Sequence, residues 1–483
     1  MAVVLVATSS ISQALETATL STDVLRLVVS SEGGSIVRAD LIGHKSEDRT
    51  SPDYPLMGEQ NGRTYLAQAG LVGIGFPTHK AQFRFLGDNV QTMGKDNKVS
   101  LDLVSLVAPE GVEVSKRITL HRGSYVATIT TVVENRSHNV VSVAPYYQLS
   151  RDGQPADIKG SSGSAAFVGP VFYTEAGGFK KVTFRDIETR PVHLPESVSD
   201  GWFAIVQRFF VSGWDVGTGS RDYYVRKTGQ DVFTAGALKS TTEIAPGSAW
   251  KTEARLYVGP QIHDQLNEFI PGFDRVADYG WLRVVCTPLF ILLQGIHSVL
   301  GNWGWTILVL TFLVRIAFIP ISASGYRSMD RLKNLSPELD RIKDLHSEDK
   351  DKMQQELLSL YRREGVNPLG GCLPILIQIP VFLGLYWVLG NVVELRGASW
   401  FGWITDLSQK DPLYILPIML GITSYIQMRM SPSPRDETQA FVLKSAPWIL
   451  TMVFLTFPSG LVLYWVGTNI FSIIQHMYVS RRT

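Results

Sequence analysis

Hydrophobic and polar positions follow different patterns in the two halves of the chain. Residues 22–258 contain short runs rich in Val, Ile, Thr, Tyr and Phe, separated by Gly, Asn, Asp and Pro. Such runs predict β-strands joined by turns, and no helix-period segment of comparable length interrupts them. We therefore predict a large antiparallel β-sandwich over 22–258. Its predicted strands include 24–29, 202–211, 223–227 and 251–258.

One hairpin in this half has a clear sequence signature. Residues 116–120 and 125–133 are two strand-like runs, and His121, Arg122, Gly123 and Ser124 separate them. A four-residue connection that contains glycine is typical of a tight turn between antiparallel strands. We expect these two strands to be direct neighbours in a sheet.

The second half contains long runs without charged side chains. A bilayer core of about 30 Å requires about 20 apolar residues in a helix. The runs predict an α-helical polytopic membrane domain over 303–480, because core helices of a soluble protein would need polar faces that these runs lack. Pro458, Ser459 and Gly460 interrupt the last run, so a turn is predicted there. The five predicted spans are 303–321, 370–390, 413–428, 445–457 and 461–479.

Basic residues predict the orientation of these spans. Nine Lys and Arg residues lie in the segment between the first two spans, whereas the connection 391–412 contains only Arg396 and Lys410. Basic loops remain in the cytoplasm, which places residues 1–300 outside the cytoplasm. Within the basic segment, 327–365 has the punctuation of a helical hairpin, with Ser336 as a predicted N-cap and Gly365 as a terminator.

Residues 259–302 are predicted to be a linker followed by an amphipathic helix that lies in the membrane interface. The apolar stretch is broken by Pro288 and contains Arg283 and His297, which argues against a sixth span. We expect its apolar side chains to share one broad face. They are Trp281, Val284, Val285, Leu289, Leu292, Leu293 and Ile296.

Charge and cysteine content exclude several classes of function. The chain has 45 basic and 44 acidic residues and a formal net charge of +1, so it is not expected to bind nucleic acid directly through bulk charge. Its two cysteines, Cys286 and Cys372, lie in apolar segments and show no zinc-ligand spacing. The histidines are scattered, and no carboxylate pair is distinguished. We therefore predict no catalytic residue, no metal site and no cofactor.

Arg315 is the one charged residue within the predicted spans. Placing an arginine at the centre of a bilayer costs about 2.5–3.5 kcal/mol on insertion scales. None of the predicted spans contains Asp or Glu, so a hydrated cavity is the favoured environment for this side chain. The alternative is that Arg315 extends toward the cytoplasmic interface, about six residues away. Ser, Thr and Gln residues of the later spans supply further polar groups for such a cavity.

Three ordered motifs resemble the YidC family of bacterial membrane protein insertases. They are 311–315 (Thr-Phe-Leu-Val-Arg), 367–380 (Asn-Pro-Leu-Gly-Gly-Cys-Leu-Pro-Ile-Leu-Ile-Gln-Ile-Pro) and 457–465 (Phe-Pro-Ser-Gly-Leu-Val-Leu-Tyr-Trp). Residues 278–281 and 301–304 fit the same family, and the resemblance extends over roughly 22–480. It implies that the outer domain is a periplasmic β-supersandwich of the Gram-negative type, similar to sugar-binding sandwiches.

The resemblance also implies a function. YidC-like proteins insert inner-membrane proteins and help them fold, alone or with the SecYEG translocon, and they are not enzymes. By resemblance, Arg315 is the arginine of a substrate groove, Thr311 and Gln378 are neighbouring groove positions, and Tyr464 and Trp465 contact substrate helices. The implied partners are nascent membrane proteins, SecYEG and the lipid bilayer. A ribosome or targeting factors would contact the cytoplasmic loops at 327–366 and 429–444.

Two alternatives and one departure from the family remain. An intramembrane arginine would also suit a transporter, although no internal repeat is present. A membrane-anchored assembly scaffold with a ligand-binding periplasmic sandwich is the other alternative.

YidC family members of the Gram-negative type begin with a signal-anchor span, whereas residues 2–7 provide only six apolar positions. Residues 1–21 are therefore predicted to be a remnant of that span or a truncated form of it.

Overall fold

The chain forms two compact units in a computed structural model. The structure describes residues 16–44, 52–60, 63–154, 167–277, 283–320, 331, 334–346, 349–365, 373–430 and 437–480. The first unit is a β domain that ends at Ala277, and the second is helical and starts at Asp278. Residues 1–15, most of the predicted N-terminal remnant, lie outside the described residues.

The β domain consists of two large sheets. In the first sheet the strands follow the order β16-β17-β11-β5-β4-β3-β2-β1-β7, and β18 pairs with β11. In the second sheet the order is β13-β12-β14-β15-β19-β10-β9-β8-β6. Every pairing is antiparallel except β1 with β7. The predicted β-sandwich is therefore confirmed. The strands are β1 Thr17–Ser21, β2 Leu25–Ser30, β3 Ile36–Leu41, β4 Tyr54–Gln60, β5 Arg63–Val72, β6 Phe83–Leu86, β7 Val90–Thr92, β8 Lys98–Ser105, β9 Val112–His121, β10 Val126–Asn135, β11 Val141–Asp152, β12 Gly169–Thr174, β13 Gly178–Lys181, β14 Trp202–Val206, β15 Phe210–Asp215, β16 Arg221–Lys227, β17 Val232–Lys239, β18 Thr242–Ile244 and β19 Ala249–Pro260.

The predicted hairpin is present as β9 and β10, which pair in antiparallel register from Val112 to Asn135. Gly123 lies in the connecting turn with φ +67°, a conformation that favours glycine.

The predicted single strand 202–211 is wrong. It is a hairpin of β14 and β15, closed where the Gln207 N–H donates to the Phe210 carbonyl over 2.9 Å. The polar pair Gln207 and Arg208 in this otherwise apolar segment lies in the turn.

Both predicted ends of the β domain require correction. β1 lies before residue 22 and pairs with β2, and its Ala18 and Leu20 side chains are buried. At the other end, residues 263–276 do not form part of a linker. Helix α2 (His263–Phe269) places Phe269 in ring contact with Tyr257 at 5.5 Å, and Phe273 packs edge-on against Trp202 at 4.7 Å. Aromatic burial attaches this segment to the β domain.

Each predicted span overlaps one helix of the second unit. Among the residues that the structure describes, no helix combines the length and the apolarity needed to cross a membrane. The number of spans therefore remains a prediction. The helices are α1 Phe184–Thr189 in the β domain, followed in the helical unit by α3 Arg283–Leu300, α4 Trp303–Ala317, α5 Ser336–Leu345, α6 Lys350–Arg363, α7 Leu373–Asn391, α8 Ile415–Met430, α9 Glu437–Phe454 and α10 Ser459–Ser480.

Several helix ends agree with the sequence and others do not. The predicted turn at Pro458 separates α9 from α10. However, Ser336 is the first residue of α5 rather than its cap, and Leu335 occupies the cap position without a side-chain hydrogen bond. Helix α9 starts at Glu437, eight residues before the predicted span, since a helix continues through polar residues wherever its backbone hydrogen bonds continue.

The core of the helical unit is an apolar cluster to which α3, α4, α7, α8, α9 and α10 all contribute. On α3, Cys286 and Leu293 are buried in this cluster and Leu289 and Ile296 pack against it. Val284 and Leu292 lie on the exposed side instead, so the predicted single apolar face of α3 is wrong for these two residues. The helix is apolar on both sides, and helical spacing alone does not show which side is buried.

Candidate functional site

Helix α4 carries the first two predicted site residues, Thr311 and Arg315, one turn apart on one face. Asn302 caps this helix, and its Oδ1 accepts the N–H groups of Gly304 and Trp305 over 3.0 and 3.2 Å. The cap satisfies amides that a helix start leaves without partners. Thr311 is buried, and its hydroxyl donates to the Ile307 carbonyl of its own helix over 2.7 Å. Thr311 therefore contributes its position and methyl group rather than a free hydroxyl.

Two of the five predicted residues are in direct contact, and the charge of a third acts on them. Gln378 of α7 donates from Nε2 to the hydroxyl of Tyr464 on α10, and the positive charge of Arg315 acts on the same hydroxyl. Tyr464 is buried, whereas Gln378 and Arg315 are half-buried. The resulting polar cluster of Arg315, Gln378 and Tyr464 borders the apolar core of the helical unit, to which Tyr464 itself belongs.

Trp465 packs against aromatic residues rather than against this polar cluster. Its ring lies edge-on to Phe382 at 4.6 Å and to Phe454 at 5.0 Å. Sequence reasoning did not identify Phe382 or Phe454, because an aromatic residue in an apolar helix has no distinguishing pattern. The contacts between Trp465 and these rings join α7, α9 and α10 at the level of the polar cluster.

Helix α10 continues from Tyr464 with a series of buried polar side chains. Asn469 donates from Nδ2 to the hydroxyls of Thr423 and Ser424 on α8, over 3.1 and 2.9 Å. Ser472 donates to its own helix. Gln475 is 7 % exposed, yet neither end of its amide has a hydrogen-bond partner among the described residues. A buried amide without a partner is costly unless water or another molecule reaches it.

Close helix packing brings α4 and α10 together at a glycine. A Cβ atom placed on Gly467 would lie 3.0 Å from Cδ2 of Leu308 and 3.6 Å from Cγ2 of Thr311. The missing side chain therefore allows the helix that carries Thr311 and Arg315 to approach the helix that carries Tyr464. Within the described part of the chain, no group of three or more His, Cys, Asp or Glu residues is placed to hold a metal ion.

Comparisons with known proteins assign the family. The sequence family of the YidC periplasmic domain matches residues 17–292, and the family of the 60Kd inner membrane protein matches residues 295–483. The membrane protein insertase YidC of Aromatoleum aromaticum is 46% identical over 464 residues, which are 95% of this chain and 84% of that protein. The chain belongs to the YidC family.

Two further similarities accompany this assignment. The membrane protein insertase YidC of Dechloromonas aromatica is 41% identical over 96% of this chain and 85% of its own length. A solved structure of an active YidC insertase with its first transmembrane domain resolved covers 94% of this chain and 90% of that chain, at 18% identity and a TM-score of 0.40.

Family membership confirms the coarse predictions about the chain. It is an inner-membrane protein with a periplasmic domain, and its relatives are named as insertases rather than as enzymes.

Proposed function

We propose that this protein inserts nascent membrane proteins into the inner membrane and helps them fold. The proposed substrate groove has the cluster of Arg315, Gln378 and Tyr464 in its wall, with Thr311 beside it and Trp465 at its aromatic edge. The observation that carries the proposal is this polar cluster, located inside a helical unit whose chain is 46% identical to a named insertase. The unpartnered amide of Gln475 adds support, because it favours water along the same helix.

The mechanism requires five helices, α4 and α7 to α10, to cross the bilayer in the orientation that the basic loops predict. A hydrated groove would shorten the apolar barrier that a polar tail must cross, and Arg315 would attract acidic residues of that tail. The apolar segment of the client would then move sideways into lipid, driven by its own burial. Such a process needs no cofactor and no nucleotide.

Partners on the cytoplasmic side would contact the α5–α6 hairpin within 327–366 and the loop 429–444. In this hairpin, Arg363 pairs with Glu338 at 3.1 Å across the two helices, and the balanced charges of the segment suit a protein contact. We propose the ribosome or targeting factors as occupants of this surface. The SecYEG translocon is the proposed partner for larger clients.

The test is insertion into proteoliposomes that contain this protein alone. The client is a small single-span protein with a short acidic tail, and protection of that tail from protease measures insertion. We expect the wild-type protein to protect severalfold more tail than protein-free liposomes. Arg315→Ala should lose most of this gain for the acidic tail and less for a neutral tail, while Arg315→Lys should retain part of it.

Arg429→Ala is the matched control. Arg429 lies near the end of α8, and its guanidinium donates to the Tyr425 hydroxyl of the same helix over 2.7 and 2.9 Å, outside the proposed groove. The assay contains no ribosome or targeting factor to contact the loop 429–444, so the Arg429→Ala variant should insert both clients like the wild type. Equal insertion by Arg315→Ala and wild type would refute the groove. Absence of insertion by a folded wild-type protein would favour the membrane-anchored scaffold.

A further inference from the structure

Four cationic side chains are buried in the described part of the β domain, and the least buried of them, Arg208 at 5 % exposed, lies over the ring of Phe209 at 4.7 Å. Lys116, Arg151 and Arg221 are 3 %, 2 % and 2 % exposed. A buried cation must have its donors satisfied, because its hydration has been lost. Their hydrogen bonds therefore show whether acceptor groups of the β domain satisfy the N–H donors of each cation.

Protein carbonyl groups satisfy two of these cations. The Lys116 ammonium donates to the carbonyls of Gly33 and Ala69 over 2.6 and 2.7 Å. The Arg221 guanidinium donates to four carbonyls at 2.6–3.2 Å, those of Ser199, Gly201, Gly217 and Gly219. Every side-chain nitrogen of these two residues therefore donates to at least one carbonyl.

Arg151 lacks such partners. Its guanidinium lies between the rings of Tyr65 and Phe184, 5.6 and 5.9 Å from their centroids. One terminal nitrogen makes a long contact of 3.4 Å with the Gln154 carbonyl, and the other, Nη1, has no partner among the described residues. Ring faces attract a cation, but they do not accept its in-plane N–H groups.

The neighbouring carboxylate is already occupied. Asp152 accepts from Arg63 Nε over 3.2 Å and from the Thr64 backbone N–H over 3.0 Å. Successive strand residues point to opposite faces of a sheet, so Asp152 and Arg151 project in different directions. In the described part of the β domain, Arg151 forms no ion pair.

Two buried hydroxyl groups near Arg151 also lack a hydrogen-bond partner of ordinary geometry among the described residues. Tyr65 lies directly opposite Arg151 in the first sheet, and Ser212 belongs to β15 of the second sheet. The Tyr65 and Ser212 hydroxyls lie near each other across the sandwich. Burial raises the pKa of Tyr65 to about 12, so its hydroxyl remains a protonated donor at physiological pH.

We propose that Arg151, Tyr65 and Ser212 form a buried oxyanion site in the β domain. One guanidinium N–H and two hydroxyl donors, contributed by both sheets, suit the oxygens of a carboxylate or a phosphate. Arg151 is the next-to-last residue of β11, so the site lies at a strand end rather than in the middle of the sandwich. The proposal is independent of the groove in the helical unit.

Binding is tested on the full chain in detergent by equilibrium dialysis with labelled inorganic phosphate, and in parallel with labelled acetate. The two probes distinguish a phosphate site from a carboxylate site, and chloride at equal ionic strength controls for general salt effects. We expect one bound anion per chain. The midpoint of thermal unfolding should also rise by about 3–6 °C at ten times Kd.

Variants separate this site from general effects on folding. Arg151→Met should abolish binding, and the shape-conserving double change Tyr65→Phe with Ser212→Ala should weaken it at least tenfold. Arg221→Met is the matched control, because it removes an equally buried arginine whose donors are satisfied. It should lower the unfolding midpoint while the number of bound anions remains one.

Three results would overturn the proposal. The first is a wild-type protein that binds neither phosphate nor acetate. The second is unchanged binding by folded Arg151→Met. The third is binding that appears only after Asp157→Asn, because Asp157, in the connection that follows β11 in the sequence, would then be the counter-ion of Arg151.

Discussion

Replacement of Gly304 by alanine tests how α4 is held in the helical unit. A Cβ atom at Gly304 would lie 2.1 Å from Cδ1, 2.2 Å from Cγ and 2.5 Å from Cβ of Trp400. Ordinary van der Waals contact begins at 3.4 Å, so the atoms must separate by about 1.3 Å. Because the overlap includes Cβ of Trp400, rotation of the indole ring alone does not remove it.

The expected cost follows from these contacts. Overpacking of a well-packed site costs about 1–3 kcal/mol. Movement of Trp400 also disrupts the hydrogen bonds from Asn302 Nδ2 to the carbonyls of Ser399 and Trp400, both 3.3 Å long, at about 1 kcal/mol. A total of about 2–4 kcal/mol should lower the unfolding midpoint by about 4–16 °C for a unit of this size.

Circular dichroism at 222 nm measures this midpoint, because it follows mainly the helical unit. Gly295→Ala is the matched control: Gly295 lies inside α3, and nothing is within 4 Å of its Cβ position. Alanine should stabilise α3 there by about 0.5–1 kcal/mol. If Gly304→Ala unfolds within 1 °C of wild type (roughly the effect of a neutral surface change), the packing argument is wrong.

Two further predictions concern buried polar residues. Burial lowers the pKa of Lys116 to about 7. Between that value and the ordinary pKa of 10.5, the unfolded chain holds a proton that the folded chain has lost. The free energy of unfolding should therefore rise with pH by about 1.4 kcal/mol per pH unit over this range. Lys116→Met should remove this rise, and parallel pH profiles of the two proteins in chemical denaturation would contradict the assignment. The buried carboxylate of Asp411 accepts from Trp403 Nε1 and from the Leu413 and Leu416 N–H groups over 2.9, 3.0 and 2.7 Å. Asp411→Asn replaces one acceptor by a donor and should cost about 1–3 kcal/mol, measured as a lower unfolding midpoint in detergent, whereas an unchanged midpoint would show that these bonds contribute nothing.

Local sequence patterns determined the elements in which each residue interacts mainly with its chain neighbours. The β9–β10 hairpin follows from strand alternation and from Gly123 in the turn. The break between α9 and α10 follows from Pro458, which lacks an amide donor. Each of the five predicted spans overlaps a helix because apolar composition favours burial of the whole segment.

Sequence patterns that extend over only a few residues predicted the wrong secondary structure where contacts with distant residues decide it. The turn between β14 and β15 has a weak sequence signal, only Gln207 and Arg208 within 202–211. Both strands are buried on both faces, so they lack the alternation that marks a strand and its ends. The segment 17–21 became a strand because β2 and β7 provide backbone partners on both of its sides. Neither partner is visible in those five residues.

The polar sites depend on contacts between distant parts of the chain. The motifs of the family resemblance named Gln378 and Tyr464 separately, but their separation of 86 positions in the sequence gives no reason for their hydrogen bond. Arg151 and Ser212 had no sequence signal at all, and each lies near Tyr65 only because strands distant in the sequence pair and the two sheets stack. The sequence by itself determined which segments are apolar and which side chains carry charge, because these are properties of single residues and their neighbours. Which polar groups remain without partners inside the fold was decided by the tertiary structure, because hydrogen bonding depends on distances and directions that arise only when separate elements pack together.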